Sequence, residues 1–186
     1  LQCFWYGAAP MSAARLEEAL VKIGPVMAQL FGQTEAPMMI SMMAPREHFN
    51  PDGTIARQRL TSAGCPGPLV QVAVMDTSGT LLPTGESGEI VVRGSLVMLG
   101  YYKDPAATQE ASRHGWHHTG DIGYLDADGF LYIVDRSKDM IISGGFNVYS
   151  VEVEQALRQH PDVQDSAVVG LPDDKWGERV VGVLQL

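Results

Sequence analysis

The chain has 186 residues, 45% of them hydrophobic, and a formal net charge of −9 at pH 7. This composition is typical of a globular protein with a buried core, and an acidic chain without runs of Lys or Arg does not suit nonspecific binding to nucleic acid or to anionic membranes. No stretch reaches the roughly 18 uncharged apolar residues of a membrane-spanning helix.

The first 50 residues have the pattern of alternating strands and helices. Residues 1–6 predict a buried strand, and Ser12 can cap a helix over residues 13–23, which a Gly-Pro pair ends. Residues 26–31 form a second apolar run that stops at Gly32. Strand, helix and strand in this order predict an α/β layer with a parallel sheet.

From about residue 51 glycine and proline become frequent and the apolar runs shorten. We predict strands at residues 69–75 and 89–93, followed by a hairpin whose two strands flank an Asp128-Gly129 turn. Short strands with turn signals at this spacing predict a small antiparallel sheet or barrel.

A third pattern begins near Lys138. Ser150 is a predicted cap for a helix that ends near residue 160, with two glutamates in its first turn. Strands are predicted around residues 166–169 and 180–186. A short helix followed by two strands predicts a small α+β unit.

These patterns predict a fold of class α/β plus α+β. Residues 1–135 would be the C-terminal part of a large domain, with an α/β layer at residues 1–50 and an antiparallel β subdomain at 51–135. Residues 136–186 would be a hinge and a truncated C-terminal α+β domain. Because the first and last predicted strands lack a flanking turn or polar tail, we expect the chain to be a fragment of a longer protein.

The predicted hairpin places an acidic residue and a basic residue at its two ends. Asp121 and Arg136 are nearly equidistant from the turn, so they should lie opposite each other on neighbouring strands. A carboxylate and a guanidinium at that position could hold the vicinal hydroxyls of one sugar. The alternatives are a turn aspartate that bonds its own backbone, a surface pair between Asp135 and Arg136, or a salt bridge between Asp121 and Arg136.

The segment FGQTE at residues 31–35 follows a strand, where ligands collect in α/β sheets. Phe31 could stack on a base, Thr34 could donate to a phosphate, and Glu35 could hold a magnesium ion. The alternative is a solvated polar loop. The small residues at 7–10 similarly offer backbone groups to an adenine edge, or form a simple turn.

The histidines, methionines and cysteines do not indicate a metal site or a binding site. His114, His117 and His118 do not alternate onto one face, so we expect no metal there. The methionines between residues 38 and 43 are interpreted as core residues. The two cysteines, at positions 3 and 65, share no CxxC spacing and predict reduced thiols in a cytoplasmic protein.

Six motifs together resemble one known family. They are YGAAPM (residues 6–11), FGQTE (31–35), GEIVVRG (88–94), GYY (100–102), WHHTGD (116–121) and DRSKDMIISGGFN (135–147). In this order they resemble the later core motifs of the acyl-adenylate-forming, AMP-binding enzymes, which include acyl-CoA synthetases, amino-acid adenylation domains and luciferases. The segment ISGGFNVY followed by VEVE is most similar to fatty-acyl and aryl CoA ligases.

The resemblance implies roles in nucleotide binding. Thr34 would bind the α-phosphate and Glu35 the magnesium ion, so these two are the candidate catalytic residues. Asp121 and Arg136 would hold the ribose hydroxyls, and Phe31 would face the adenine ring. The complete implied set for the nucleotide is Ala8, Ala9, Pro10, Phe31, Gly32, Gln33, Thr34, Asp121 and Arg136.

The resemblance also implies a hinge between two domains and a channel for the acceptor thiol. Lys138 stands at the hinge between the large and small domains, and Gly144 and Gly145 would line the channel for the pantetheine thiol of CoA. The phosphate loop and the catalytic lysine of the family would lie upstream and downstream of this sequence. Ser150 stands where many members have proline, and Asn147 where a subset has arginine.

We therefore interpret the chain as a fragment of an acyl-CoA synthetase of fatty acid metabolism, an acid–thiol ligase. The parent enzyme would convert a carboxylate, ATP and CoA to acyl-CoA, AMP and pyrophosphate through an acyl-adenylate, with Mg²⁺, and the isolated fragment would be inactive. The alternatives are an adenylation domain that loads a carrier protein, or a non-catalytic nucleotide-binding module.

Overall fold

The computed structural model of the protein describes residues 1–8, 11–136 and 139–186. The chain folds into two compact units, the first comprising Leu1–Thr119 with Gly123–Ile133, and the second comprising Gly120–Ile122 with Val134–Leu186. In the described part of the chain, no helix is long and apolar enough to cross a membrane.

The N-terminal sheet of the first unit has four strands in the order β1-β2-β3-β4. Strand β1 runs parallel to β2, which confirms the predicted parallel pair, and the other two pairings are antiparallel. Strand β3 was not predicted as a strand, and it contains the methionines that were interpreted as core residues. Met43 is fully buried, but Met38 is 63% exposed, so that interpretation is wrong for Met38. The bounds are β1 Phe4–Gly7, α1 Ala13–Ile23, β2 Met27–Gln33, β3 Ala36–Met43, β4 Cys65–Pro66, and two short 3₁₀ helices at Pro45–His48 and Arg57–Arg59.

Helix α1 has the predicted bounds and the predicted cap. The Ser12 hydroxyl accepts a hydrogen bond from the amide three residues on (3.3 Å), and Gly24 ends the helix with a φ of +97°. Leu16 and Leu20 are buried against the sheet, which supplies most of the stability of so short a helix. Ile23, predicted on the same face, is instead largely exposed.

The prediction of a buried first strand is wrong for this chain. Phe4 and Trp5 are 44% and 55% exposed, because β1 is the outermost strand of its sheet. Their apolar character produced the prediction, although burial depends on what packs against the strand and not on its own residues.

The second sheet is antiparallel, as predicted, with the order β5-β6-β7-β8. Ile90, Val92 and Leu131 are fully buried and pack with Ala36 and Ile40 of β3, so one core connects the two sheets within the first unit. The bounds are β5 Val70–Met75, β6 Gly88–Gly94, α2 Pro105–Ala111, a 3₁₀ helix at Arg113–Gly115, β7 His117–Leu125 and β8 Leu131–Arg136.

The turn between β7 and β8 has the predicted Asp-Gly chemistry. Asp126 accepts hydrogen bonds from the amides of Asp128 (2.9 Å) and Phe130 (2.8 Å). Gly129 has a φ of +83°, which a glycine adopts without strain. The turn therefore fixes the two strands that carry Asp121 and Arg136.

The second unit is a small α+β fold, which confirms the predicted class. Its four-stranded antiparallel sheet has the order β10-β9-β12-β11 and packs against one helix. The bounds are β9 Ile141–Ser143, β10 Phe146–Val148, α3 Ser150–Leu157, β11 Asp165–Asp173 and β12 Gly177–Gln185.

The predicted cap of α3 is wrong. Tyr149 occupies the N-cap position and makes no side-chain capping bond, and Ser150 is the first helical residue. The helix also ends at Leu157, earlier than the predicted position near residue 160. Ser150 uses its hydroxyl for a different contact, described below.

Candidate nucleotide-binding site

The FGQTE segment lies at the end of β2 and in the turn to β3. Phe31, Gly32 and Gln33 belong to β2, where the pairing with β3 shifts register, so only the last two residues form the predicted polar loop. A side chain at Gly32 would collide with the backbone of Met38, which explains why glycine is required there. Thr34 is exposed at the tip of the turn.

Glu35 is held by two contacts from the segment that follows β6. The Tyr101 hydroxyl donates to Oε1 of Glu35 (2.7 Å), and the Met98 amide donates to the Glu35 backbone carbonyl (2.7 Å). The hydrogen bond from Tyr101 is the main reason that the pKa of Glu35 lies below its usual value. Glu35 is therefore ionised at neutral pH.

A partly exposed carboxylate of this kind fits a magnesium ion. Mg²⁺ is usually bound through one or two carboxylates together with phosphate oxygens and water, so a single Glu suffices when a nucleotide supplies the rest. The residues described contain no group of three or more His, Cys, Asp or Glu that could hold a metal by themselves. The donor set suits a nucleotide-bridged ion.

Gln33 contacts a buried histidine that the sequence analysis did not connect to this motif. Its amide nitrogen lies 3.0 Å from Nε2 of His117, which is 4% exposed. Burial lowers the pKa of His117, so the ring is neutral and its Nε2 can accept the amide proton. His117 therefore orients Gln33. Its position in the WHHTGD motif was the signal available in the sequence.

The second unit brings Asp121 and Arg136 together. Nε of Arg136 lies 3.5 Å from Oδ1 of Asp121; the Asp121 side chain is 12% exposed and that of Arg136 is 63% exposed. The hairpin thus places the two residues side by side, as their spacing predicted, and the contact is the salt bridge between Asp121 and Arg136 that was one of the alternatives. Gly120 has a φ of +74°, and no described atom lies within 4 Å of the position of a Cβ there.

Asp135 does not form the surface pair that was one alternative. It is 4% exposed, and its carboxylate accepts hydrogen bonds from the Arg136 amide (2.7 Å) and from the Ser150 amide (2.6 Å). The Ser150 hydroxyl donates to it as well (3.1 Å). The buried charge is satisfied by these donors, which tie the end of β8 to the start of α3.

Gly144 and Gly145 form the turn between β9 and β10. Both have positive φ values, +60° and +83°. A Cβ on Gly144 would lie 2.8 Å from the indole ring of Trp176, and the Gly144 amide donates to the Trp176 carbonyl (2.8 Å). The half-exposed Trp176 therefore covers one side of this turn, and the sequence analysis did not identify it.

The remaining predicted positions lie at the first turn and at the hinge. Ala8 is exposed and has a φ of +66°. Ala9, Pro10 and Lys138 lie outside the residues that the structure describes.

Comparison with known proteins places the chain in a family. The AMP-binding enzyme family matches residues 1–102, and the AMP-binding enzyme C-terminal domain matches residues 152–186. The chain belongs to the AMP-binding enzyme family.

Two relatives of known activity are CoA ligases. A medium/long-chain-fatty-acid–CoA ligase of Mycobacterium tuberculosis is 46% identical over 186 residues, which is 100% of this chain and 31% of the relative. A 2-succinylbenzoate–CoA ligase of Bacillus cereus is 41% identical over 180 residues, covering 96% of this chain and 35% of the relative. The chain therefore spans about a third of the length of these relatives.

Solved structures agree with the fold. The amide bond synthetase McbA of Marinactinospora thermotolerans matches with a TM-score of 0.90 and 41% identity, over 99% of this chain and 36% of that protein. The o-succinylbenzoate CoA synthetase of Bacillus subtilis, solved with ATP and a magnesium ion, matches with a TM-score of 0.83 and 36% identity, over 98% of this chain and 36% of that one.

Proposed function

We propose that this chain is part of an AMP-forming acyl-CoA synthetase and supplies nucleotide-binding groups and the start of the small domain. The observation that carries the proposal is the pair Asp121 and Arg136, which combines a mostly buried carboxylate and an exposed guanidinium at neighbouring strand ends of one hairpin. The family membership and the CoA ligases among the relatives support it.

Asp121 and Arg136 would bind the ribose of ATP. A carboxylate accepts two hydroxyl protons, and a guanidinium donates to the same hydroxyl oxygens, so the pair fits a vicinal diol. Because the Asp121 side chain is mostly buried while that of Arg136 is mostly exposed, the carboxylate would fix the sugar and the guanidinium would close over it.

Thr34 and Glu35 would act at the phosphates. The exposed Thr34 can donate a hydroxyl to the α-phosphate, and the ionised Glu35 would hold Mg²⁺. The metal, when bound, offsets negative charge on the phosphates. A carboxylate oxygen of the acid can then attack the α-phosphorus while pyrophosphate leaves, and these side chains hold the reacting groups in line.

The loop of Gly144 and Gly145 would line the path of the acceptor thiol. The thiol attacks the acyl carbonyl of the adenylate, and AMP leaves. The Trp176 ring covers Gly144, whereas no described atom lies within 4 Å of the position of a Cβ on Gly145, so a narrow, extended chain such as pantetheine would pass on the side of Gly145. Lys138 would serve as the hinge that brings this loop into place.

A carrier protein is a second candidate acceptor. One relative, from Streptomyces coeruleorubidus, is a fatty acid–[acyl-carrier-protein] ligase and is 41% identical over 175 residues. Phosphopantetheine ends in the same thiol whether it belongs to CoA or to a carrier protein, so the turn of Gly144 suits both.

The test is an assay of the full-length polypeptide that contains this chain. A panel of fatty and aromatic acids is incubated with ATP and Mg²⁺, and pyrophosphate, acyl-AMP and acyl-CoA are followed separately with CoA, with a phosphopantetheinyl carrier protein or with an amine as the acceptor. We expect acyl-CoA. Acyl-AMP that transfers only to the carrier protein or only to the amine would change the assigned acceptor, and the absence of acyl-AMP would refute the proposal.

The isolated chain of 186 residues serves as the negative control for this assay. We expect it to release no pyrophosphate with any acid, and to bind AMP weakly through the ribose and adenine groups alone. Turnover by the purified chain would contradict the motif assignment.

A further inference from the structure

We infer that Tyr101 is a positioning residue for the metal-binding carboxylate of Glu35, and that it sets which carboxylate oxygen faces the cation. The inference rests on the proposed function, because that function assigns the metal to Glu35. It adds a residue from a separate segment of the chain, the GYY motif, to the control of metal binding.

The phenol of Tyr101 contacts Glu35 at one oxygen only. The bond of 2.7 Å goes to Oε1. A donor on one oxygen restricts the rotation of a carboxylate and leaves the other oxygen available to a ligand. Oε2 is therefore the oxygen that we assign to the cation.

The backbone of Tyr101 is itself fixed by helix α2. Its amide donates to the hydroxyl of Thr108 (2.9 Å), and that hydroxyl donates to the carbonyl of Asp104 (2.8 Å). Asp104 caps the same helix by accepting from the Ala107 amide (2.9 Å). The phenol thus projects from a backbone that the first turn of the helix holds.

Gly100 lets this arrangement form. It has a φ of +153°, and a Cβ at this position would lie 2.8 Å from the Thr108 side chain. Any other residue would push Thr108 away from the Tyr101 amide. Gly100 and Tyr101 therefore act together to position the phenol.

The second contact to this segment holds the other end of Glu35. The Met98 amide donates to the Glu35 carbonyl (2.7 Å), so the main chain and the side chain of one residue are both bound by residues 98–101. Contacts at both ends leave Glu35 little freedom to turn away from a ligand. This is the arrangement expected of a partner that orients a metal ligand.

The experiment compares metal binding in conservative variants of the full-length polypeptide. The affinity for Mn²⁺, used as a spectroscopic substitute for Mg²⁺, is measured by electron paramagnetic resonance with ATP bound, and the affinity for ATP is measured without metal. The variants are Tyr101→Phe, which removes only the hydroxyl, and Glu35→Gln. The control is Tyr102→Phe at the adjacent tyrosine, which is 87% exposed.

We expect Tyr101→Phe to weaken Mn²⁺ binding on the order of tenfold, the lower end of the range for groups that orient metal ligands. The affinity for metal-free ATP and the Tyr102→Phe variant should both match the wild type. Thr108→Val, which frees the Tyr101 backbone, should shift Mn²⁺ binding in the same direction by less.

The outcomes separate this inference from the proposed function. If Glu35→Gln weakens Mn²⁺ binding while Tyr101→Phe does not, Tyr101 has no positioning role and the metal assignment stands. If neither variant changes Mn²⁺ binding, the metal is not at Glu35, and this inference fails together with the assignment of the metal to Glu35. If Tyr101→Phe weakens metal-free ATP binding equally, the phenol contacts the nucleotide and the inference is overturned.

Discussion

The guanidinium of Arg136 lies 3.5 Å from the carboxylate of Asp121, across the two strands of one hairpin. An ion pair with one partner this exposed contributes little to stability, typically about 0–1 kcal/mol. The proximity of the two side chains therefore matters more for what the pair can bind than for the stability of the fold. This relationship provides the most direct test of the proposed ribose contacts.

Asp121→Ala in the full-length polypeptide should raise the KM for ATP by roughly tenfold or more if the proposed ribose contacts are correct. The change removes hydrogen bonds to a charged acceptor, each worth about 1.5–3 kcal/mol. The KM for the acid should change much less, because the acid does not contact the ribose. Steady-state kinetics with each substrate varied in turn measures both constants.

The control for Asp121→Ala is Asp128→Ala in the exposed turn of the same hairpin. It should leave both KM values near those of the wild type. If the KM for ATP is unchanged in Asp121→Ala as well, Asp121 serves the local structure of the strand and not the nucleotide.

Ser150 provides a stability prediction within the second unit. Proline is favoured at the first position of a helix, and Tyr149 has a φ of −85° and a ψ of 116°, which proline tolerates in the residue before it. Helix propensity alone therefore predicts that Ser150→Pro is harmless. Asp135, however, would lose both the amide and the hydroxyl of Ser150, and its buried carboxylate would keep only the Arg136 amide among these three donors.

We expect Ser150→Pro to lower the free energy of unfolding by about 1–3 kcal/mol, the cost of leaving a buried polar group unsatisfied. Ser150→Ala keeps the amide donor and should cost less. Urea denaturation followed by circular dichroism gives both values. A proline variant as stable as the wild type would mean that Asp135 finds other donors.

The sequence predicted the elements whose signals are local. Helix α1 has Ser12 at one end and Gly24 at the other, and both act as their chemistry predicts. Strand β3 was not predicted, because methionine has no strong preference for strands and the run contains Pro37. The exposure of Trp5 could not be predicted either, since it depends on the neighbours of the strand.

The same distinction applies to the candidate site. The spacing of Asp121 and Arg136 about one turn predicted their proximity, which the structure shows. The contact between Asp135 and Ser150 joins residues from different elements, and so does the contact between Glu35 and Tyr101. No periodicity connects such pairs, so only the folded chain reveals them.

His48 predicts how stability depends on pH. It is fully buried; its Nε2 lies 2.9 Å from the Tyr6 hydroxyl, and its Nδ1 lies 3.1 Å from the Ala44 carbonyl. Burial is the main cause that lowers the pKa of His48 below its usual value of 6.5; the backbone of Ala44 and Pro45 and, least, the Glu47 carboxylate oppose this only in part. The folded protein therefore keeps the ring neutral where the unfolded chain is already protonated.

Between the folded and the unfolded pKa of His48, the unfolded state binds more protons than the folded state. The contribution of neutral His48 to the free energy of unfolding is therefore complete above about pH 6.5 and is lost as the pH falls toward the lower folded pKa. The slope from this residue is at most about 1.4 kcal/mol per pH unit. Burial also lowers the pKa of His117, which adds to the slope in the same direction.

Denaturation by urea, followed by tryptophan fluorescence between about pH 5 and about pH 8, measures the slope. His48→Gln should be less stable throughout and should show a flatter dependence on pH. The control His160→Gln changes an exposed histidine of the second unit and should keep the slope of the wild type. An equal slope in wild type and His48→Gln would show that His48 does not contribute to acid sensitivity.

Lys138 provides the test of the proposed hinge. It stands where the pattern of the chain changes from hairpin to α+β unit, and the family resemblance implies that the small domain rotates there between adenylation and thioester formation. A hinge residue must reach two backbone settings, whereas proline fixes φ near −65° and restricts Ser137 before it. Lys138→Pro should therefore hold the full-length enzyme in one conformation.

We expect Lys138→Pro to impair the thioester step much more than acyl-AMP formation, because the loop of Gly144 and Gly145 must move into place for the thiol to reach the adenylate. Lys138→Ala keeps both backbone settings accessible and should be mild. Single-turnover kinetics that follow acyl-AMP formation and its consumption by CoA separately give the two rates. Equal losses in both steps would indicate misfolding around residue 138 and would remove the basis for a hinge at this position.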